Sequence, residues 1–304
     1  MYQLSHKLRG FPALVLALGG CVADPDGAET QVAAEIQAPN GMSVNGTSLN
    51  GMSVNGTTLN GMSVNGISLN GMSVNGMSVN GASVSGSQLS GVSSTGDQLT
   101  GAALVGATLQ AQLTDGATLM LRIDATAMLP APNADLRSYT ITYQTSAGWK
   151  SLCANANEAL MFPGTWNLGT VRHQWDSNMF SLACRGSTFA KCAELGYKAD
   201  NLLDTYHQAC TRALRADYCG DGQSHTINGT EINIYDKLGV QTDTLDWTVE
   251  SNWTPDGALC INKARVLSSL VEPDVPACVA DRARTKCVTP AWQGHVLIRT
   301  EVNK

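Results

Sequence analysis

The sequence predicts a chain in two parts, a repeat that turns at regular intervals followed by a disulfide-rich α+β domain. Three observations carry this. Glycine falls at every fifth position from Gly41 to Gly106, fourteen times. Residues 12–138 contain no Phe, Tyr or Trp, whereas all six Trp lie between Trp149 and Trp292. Eight of the nine Cys lie between Cys153 and Cys287. For 304 residues the soft expectation is about two domains. The break in composition divides the chain into a targeting segment (1–20), a tether (21–40), a repeat (41–115) and a Cys/Trp-rich domain (116–304).

The first twenty residues read as a targeting segment rather than as fold. His6, Lys7 and Arg9 are basic, "FPALVLAL" is a short apolar run, and Leu18-Gly19-Gly20-Cys21 follows. Small residues ahead of a cysteine suit a signal peptidase that needs a slim chain, and the thiol then takes a lipid. The order of the three regions resembles a bacterial lipobox, which implies lipidation at Cys21. Val22 stands where an Asp would signal retention at the inner membrane, so the expected address is the outer membrane, with the domain at the surface. No run of ~18 apolar residues crosses a bilayer. Residues 22–39 carry Asp24, Asp26, Glu29 and Glu35 with no basic residue, the composition of a flexible tether.

The repeat follows from its period. Asn precedes Gly at nine consecutive positions, Asn40 to Asn80, and an aliphatic stands three residues after each Gly, from Val44 to Leu89. Ser94 interrupts the run before Leu99, Leu104 and Leu109 resume it. Five matches neither 3.6 nor 2.0 residues. It matches a chain that bends at each Asn-Gly, where positive φ is tolerated, and points the aliphatic to an axis. The pattern resembles the pentapeptide-repeat family, and the resemblance implies a short right-handed β-solenoid. Met42, Met52, Met62, Met72 and Met77 depart from that family, whose second inward position is small. Calcium-binding repeats need an acidic residue per turn, and Asp97 is the only one between Gly41 and Thr114. A neutral stalk or spacer is what remains.

In the second part, Leu119, Leu121 and Ile123 alternate with Met120, Arg122 and Asp124, and Tyr139, Ile141 and Tyr143 alternate with Thr140 and Thr142. Each set is a half-buried strand, and together they suggest a hairpin-like pair. Asp200 stands at an N-cap position ahead of Leu202, Leu203, Tyr206, Cys210, Ala213 and Leu214, one face of a helix ending near Asp217. Ile232 and Ile234, then Val296 and Ile298, read as later strands.

With Cys21 lipidated, Cys153, Cys184, Cys192, Cys210, Cys219, Cys260, Cys278 and Cys287 remain. An even number in an exported chain reads as four disulfides, with 105 connectivities open. No two of them are separated by two residues, so zinc ribbons and CxxC redox motifs are excluded, and no metal or cofactor is expected.

Three long segments are distinctive: "KCAELGYK" from Lys191, "CTRALRADYCGDGQSHTINGTEINIYD" from Cys210 and "WTPDGALC" from Trp253. They resemble the ADYC domain, named for Ala216-Asp217-Tyr218-Cys219, over roughly residues 120–304. The resemblance implies an exported protein of myxobacterial type and supplies no chemistry.

Several sites compete around this motif. Ser224 and His225 with Asp221 or Asp217 offer a nucleophile, base and orienter, though no GxSxG elbow is present. Asp217, Asp221 and Gly222 fit three positions of a calcium loop, but Cys219 and Asn228 occupy ligand positions. His207 and His225 with Asp221 form another metal candidate. The bland alternative has Asp217 pairing with Arg215 or capping a turn. Trp166, Trp175, Trp247 and Trp253 offer rings for sugar stacking, or core. A net charge of −6 argues against a nucleic-acid partner. The expected function is a lipid-anchored envelope protein, a non-enzymatic binding or display module on a repeat stalk, with an envelope protein or a glycan as partner. The alternatives are a secreted hydrolase using Ser224, His225 and Asp221, and a carbohydrate-binding module.

Overall fold

The computed structural model describes residues 51–58, 61–64, 71–77, 82–93, 97–112, 118–153, 158–167, 172–175, 180–200, 203–226, 230–265, 277–287, 292 and 294–303. The targeting segment, Cys21, the acidic tether and the first pentads lie outside them.

The repeat does not form a solenoid. Strand β1 (Gly51–Thr58) runs straight through Asn55-Gly56, and β3 (Gly71–Met77) through Asn75-Gly76, so these pairs are extended backbone rather than corners. Between them, β2 (Gly61–Val64) pairs antiparallel with β1, whereas β1 pairs parallel with β3, Gly51 opposite Gly71. A solenoid needs every coil parallel to the next. The following pentads form an antiparallel three-stranded sheet, β4 (Ala82–Ser85), β5 (Gln88–Val92) and β6 (Gln98–Thr100), and then a 3-10 turn at Gly101–Leu104. Gly86, at φ +59°, opens the two-residue loop between β4 and β5, the position such hairpins reserve for glycine.

The physical reason lies in where the aliphatics go. Val84, Leu89, Leu104 and Leu109 are buried among Leu121, Ile123, Tyr139 and Ile141. A neighbouring apolar surface removes them from water without an internal axis. Tyr139 fastens the join, its hydroxyl accepting from Leu89 N at 2.8 Å and donating to the Ser87 carbonyl at 3.3 Å.

The main sheet continues with β7 (Thr108–Gln112), β8 (Thr118–Met128), β9 (Arg137–Thr145), β10 (Gly148–Ser151), β11 (Ala159–Pro163) and β14 (Phe180–Cys184), and between the last two lies a separate two-stranded ribbon of β12 (Thr165–Asn167) and β13 (Arg172–Gln174). Nine strands run in the order β2-β1-β3-β14-β11-β9-β8-β7, with β10 also on β9. The period-two reading of β8 and β9 places Leu121 opposite Tyr143 and Ile123 opposite Ile141, all buried.

Helix α1 (Thr188–Glu194) is capped by Ser187, whose hydroxyl accepts from Ala190 N. Helix α2 (Asp204–Arg215) starts later than its apolar face suggests, because Asp200 caps a preceding turn, its Oδ1 accepting from Leu203 N at 3.0 Å. A four-stranded antiparallel sheet, β15 (Asn233–Asp236), β16 (Thr248–Thr254), β17 (Gly257–Ile261) and β18 (Ile298–Val302), follows in the order β15-β18-β16-β17, with α3 (Ala277–Arg284) before β18. The architecture is therefore mostly antiparallel β with three helices among the described residues. It is not a solenoid leading into an α+β domain.

Four disulfides pair all eight remaining cysteines: Cys153 with Cys184, Cys192 with Cys210, Cys219 with Cys278, and Cys260 with Cys287. Their Cα separations of 5.6, 5.8, 5.6 and 5.2 Å lie inside the usual range. Cys192–Cys210 ties α1 to α2. The last two interlock in sequence and clamp α3 from both ends.

Candidate functional site

The segment from Ala216 to Gly222 leaves the end of α2 and enters the interior. Ala216 takes the left-handed conformation, φ 49°, and so ends the helix as a C-terminal cap does. Asp217 is then completely buried. Its Oδ1 accepts from Gly220 N at 2.8 Å and Asp221 N at 3.1 Å; its Oδ2 accepts from Gly222 N at 2.9 Å and from the Arg212 guanidinium. Of the expected partners it caps the turn, but its cation is Arg212 rather than Arg215. Arg215 donates to the Gly222 carbonyl instead, and burial holds its pKa down to about 10.

Tyr218 works as a bolt. Its ring stacks on Trp253, centroids 5.3 Å apart, and its hydroxyl donates to Glu250 Oε1 at 2.7 Å. Burial, followed by the Glu250 charge, raises its pKa well above the usual tyrosine range. Glu250 Oε2 accepts from Arg265 Nη2 at 2.9 Å and Thr300 Oγ1 at 2.7 Å, and Thr300 Oγ1 accepts from Trp253 Nε1 at 2.7 Å. The Tyr218 carbonyl accepts from Ala258 N at 3.0 Å and from Arg282. Cys219 is bonded to Cys278 on α3.

The four residues thus have separate tasks: Ala216 ends α2, Asp217 closes the turn, Tyr218 bolts to β16, and Cys219 staples α3. The ADYC domain family model matches residues 101–267, more than half of the chain. The chain belongs to the ADYC domain family. No curated protein and no solved structure matches it. The matched region begins at Gly101, inside the pentad run, and stops short of the C-terminus. Cys278, Cys287 and Thr300 lie beyond it yet bind residues within it.

Around the ADYC motif the hydrolase candidates face different ways. Ser224 Oγ donates to the Arg215 carbonyl at 3.0 Å, and His225 N donates to the same carbonyl at 3.1 Å. The His225 ring lies 5.7 Å from that of Tyr218, its Nε2 buried without a hydrogen-bond partner. Burial lowers its pKa, against the pull of Asp221 and Asp217. Asp221 is exposed and accepts from Gln223 N. An open polar recess of about 380 Å³ lies elsewhere, lined by Thr230, Glu231, Lys263, Ala264, Arg265, Val302 and Asn303; none of the three candidates lines it.

His207 does not join His225. It sits fully buried on α2 against Phe162 and Phe189, its Nε2 hydrogen-bonded to the Phe189 carbonyl at 3.0 Å. No group of three metal-ligating side chains occurs among the described residues. No local pattern marks its neighbour His173, whose Nδ1 meets Asp204 and whose Nε2 meets the Pro163 carbonyl at 2.8 Å.

Burial, reinforced by the nearby His173, lowers the His207 pKa to about 4. The unfolded chain binds this proton near 6.5, the folded chain only near 4. Stability linked to His207 is therefore complete above pH 6.5 and is lost as pH falls through that window, by at most about 3 kcal/mol. Urea denaturation from pH 7 to 4 is expected to show this slope, and His207→Gln to flatten it.

Of the indoles offered for sugar stacking, Trp253 is core, fully buried on Tyr218. Trp247 is half-buried, Trp175 is exposed, and the Trp166 side chain lies outside the described residues. Trp149, not among those candidates, is exposed on β10 with the Arg122 guanidinium 4.4 Å from its ring centroid.

Proposed function

We propose that this protein is an exported, lipid-anchored envelope protein whose ADYC domain is a non-enzymatic binding or display module. The observation that carries this reading is the engagement of the motif's polar groups. Asp217 is held by three backbone amides and an arginine, and the Ser224 hydroxyl is turned to a carbonyl. A catalytic acid, base or nucleophile must instead be presented to a substrate.

Two further features support it. The ordered basic, apolar and Leu-Gly-Gly-Cys regions favour export and a lipid on Cys21, and Val22 favours the outer membrane. Four closed disulfides suit an oxidising compartment. Because β3 pairs with β14, spacing from the membrane falls to residues 21–40 rather than to the described pentads. The partner is an envelope protein or a glycan.

The test is chemical. Protein recovered from membrane fractions and denatured without reductant is expected to carry a lipid on Cys21 and to leave no cysteine reactive to a maleimide. A water-soluble chain with an unmodified Cys21, or a labelled thiol, overturns the reading.

A further inference from the structure

The outward face of β7, β8, β9 and β10 carries features that the buried motif does not use. Leu121, Ile123, Ile141 and Tyr143 point inward, so Arg122, Thr142 and Gln144 point out. Register places Thr108 opposite Arg122, Arg122 opposite Thr142, Thr142 opposite Ser151, and Gln144 opposite Trp149. Asp124 follows Arg122 on this face by alternation, beside a register shift between Ile123 and Ala125. Here Arg122 Nε donates to Asp124 Oδ1 at 2.5 Å while its guanidinium lies over Trp149.

From this arrangement we infer that the β7–β10 face is a carbohydrate-binding platform centred on Trp149, with a neutral polysaccharide as its ligand. The inference rests on the binding-module reading above and names the ligand class.

The chemistry selects that class. A pyranose ring offers an apolar C–H face and a rim of hydroxyls that both donate and accept. Trp149, 36% exposed with the Arg122 guanidinium over its ring, supplies an apolar surface beside a donor. Arg122 donates, Asp124 accepts, and Gln144 does both. The Arg122 hydrogen bond holds the Asp124 carboxyl below its usual range, so it remains an acceptor. Arg122 is pinned on two sides, which lowers the ordering cost of binding. Its charge is balanced by Asp124, and the chain is net −6, so an anionic polymer is disfavoured. One aromatic among Thr, Gln and Ser is too polar for the core of a protein interface. Three inter-strand spacings from β7 to β10 give ~14 Å, room for more than one sugar ring.

The test is affinity electrophoresis of the full chain through gels containing hydroxyethyl cellulose, laminarin, mannan or starch. At least one is expected to retard it, with Trp149→Ala and Arg122→Ala each weakening retardation by ~10-fold. Trp175→Ala, at a more exposed indole on β13's flank, is expected to leave it unchanged. Thermal midpoints of the variants serve as the folding control, and Arg122→Ala stands in should Trp149→Ala not fold. No retardation in any gel overturns the platform, and so does retardation that survives both substitutions; the latter leaves a binding module intact. New reducing ends in any gel would instead overturn the non-enzymatic reading, whatever Trp149 does.

Discussion

Asp217→Ala is expected to destabilise the ADYC domain by about 3–5 kcal/mol, measured by urea denaturation with disulfides intact. Arg212 is 2% exposed and Asp217 fully buried. Removing the carboxylate takes this partner from the buried Arg212 guanidinium and leaves the amides of Gly220, Asp221 and Gly222 without their acceptor. Breaking a buried pair costs more than replacing both partners with apolar groups. Arg212→Met with Asp217→Ala is therefore expected to lose less than the sum of the single variants. A loss under ~1 kcal/mol for Asp217→Ala, the range of an exposed ion pair, would mean that the carboxylate does not hold this turn.

Gly257→Ala is expected to cost about 2–5 kcal/mol, from left-handed strain of ~1–2 plus overpacking of ~1–3. Gly257 has φ +104°, and a Cβ there would stand 2.6 Å from the Tyr218 carbonyl oxygen and 2.8 Å from Gly220 N. Gly220, at φ +73°, is equally confined: its Cβ would stand 2.2 Å from the Asp256 carbonyl oxygen. These contacts are backbone on backbone, so no side chain can swing aside. Gly239, at φ +76° with open space around its Cβ position, is the control. Gly239→Ala is expected to show the conformational part alone, and the difference between the two variants measures the close approach of the motif to the β16–β17 turn.

The parts of the fold legible in the sequence were those written as a local period. Leu121 and Ile123 on β8, Ile141 and Tyr143 on β9, and Cys210, Ala213 and Leu214 on α2 lie buried as their spacing implied. The Asn-Gly repeat misled because these residues permit a corner without requiring one. Beside the apolar face of β9, Leu89 gains burial without a solenoid axis. The motif's partners were not legible for a different reason. Glu250 lies 32 residues from Tyr218, and no pattern encodes that distance. Arg212 displaced Arg215 as the partner of Asp217 because Ala216 reverses the backbone at the helix end. Trp253 was ambiguous as a sugar-stacking residue and proved to be core, while Trp149 drew no attention because its significance depends on Arg122, brought near by strand register. The disulfide pairing required the fold itself.

The ADYC segment is a fastening and its cysteine a staple, in a domain we propose is exported. Non-reducing peptide mapping of the protein from membrane fractions tests it most directly. Closed pairs Cys153–Cys184, Cys192–Cys210, Cys219–Cys278 and Cys260–Cys287 are expected, with the N-terminal peptide beginning at a lipidated Cys21. A free or adduct-bearing Cys219 would contradict it, and would make Ala216–Cys219 a reactive site rather than a structural one.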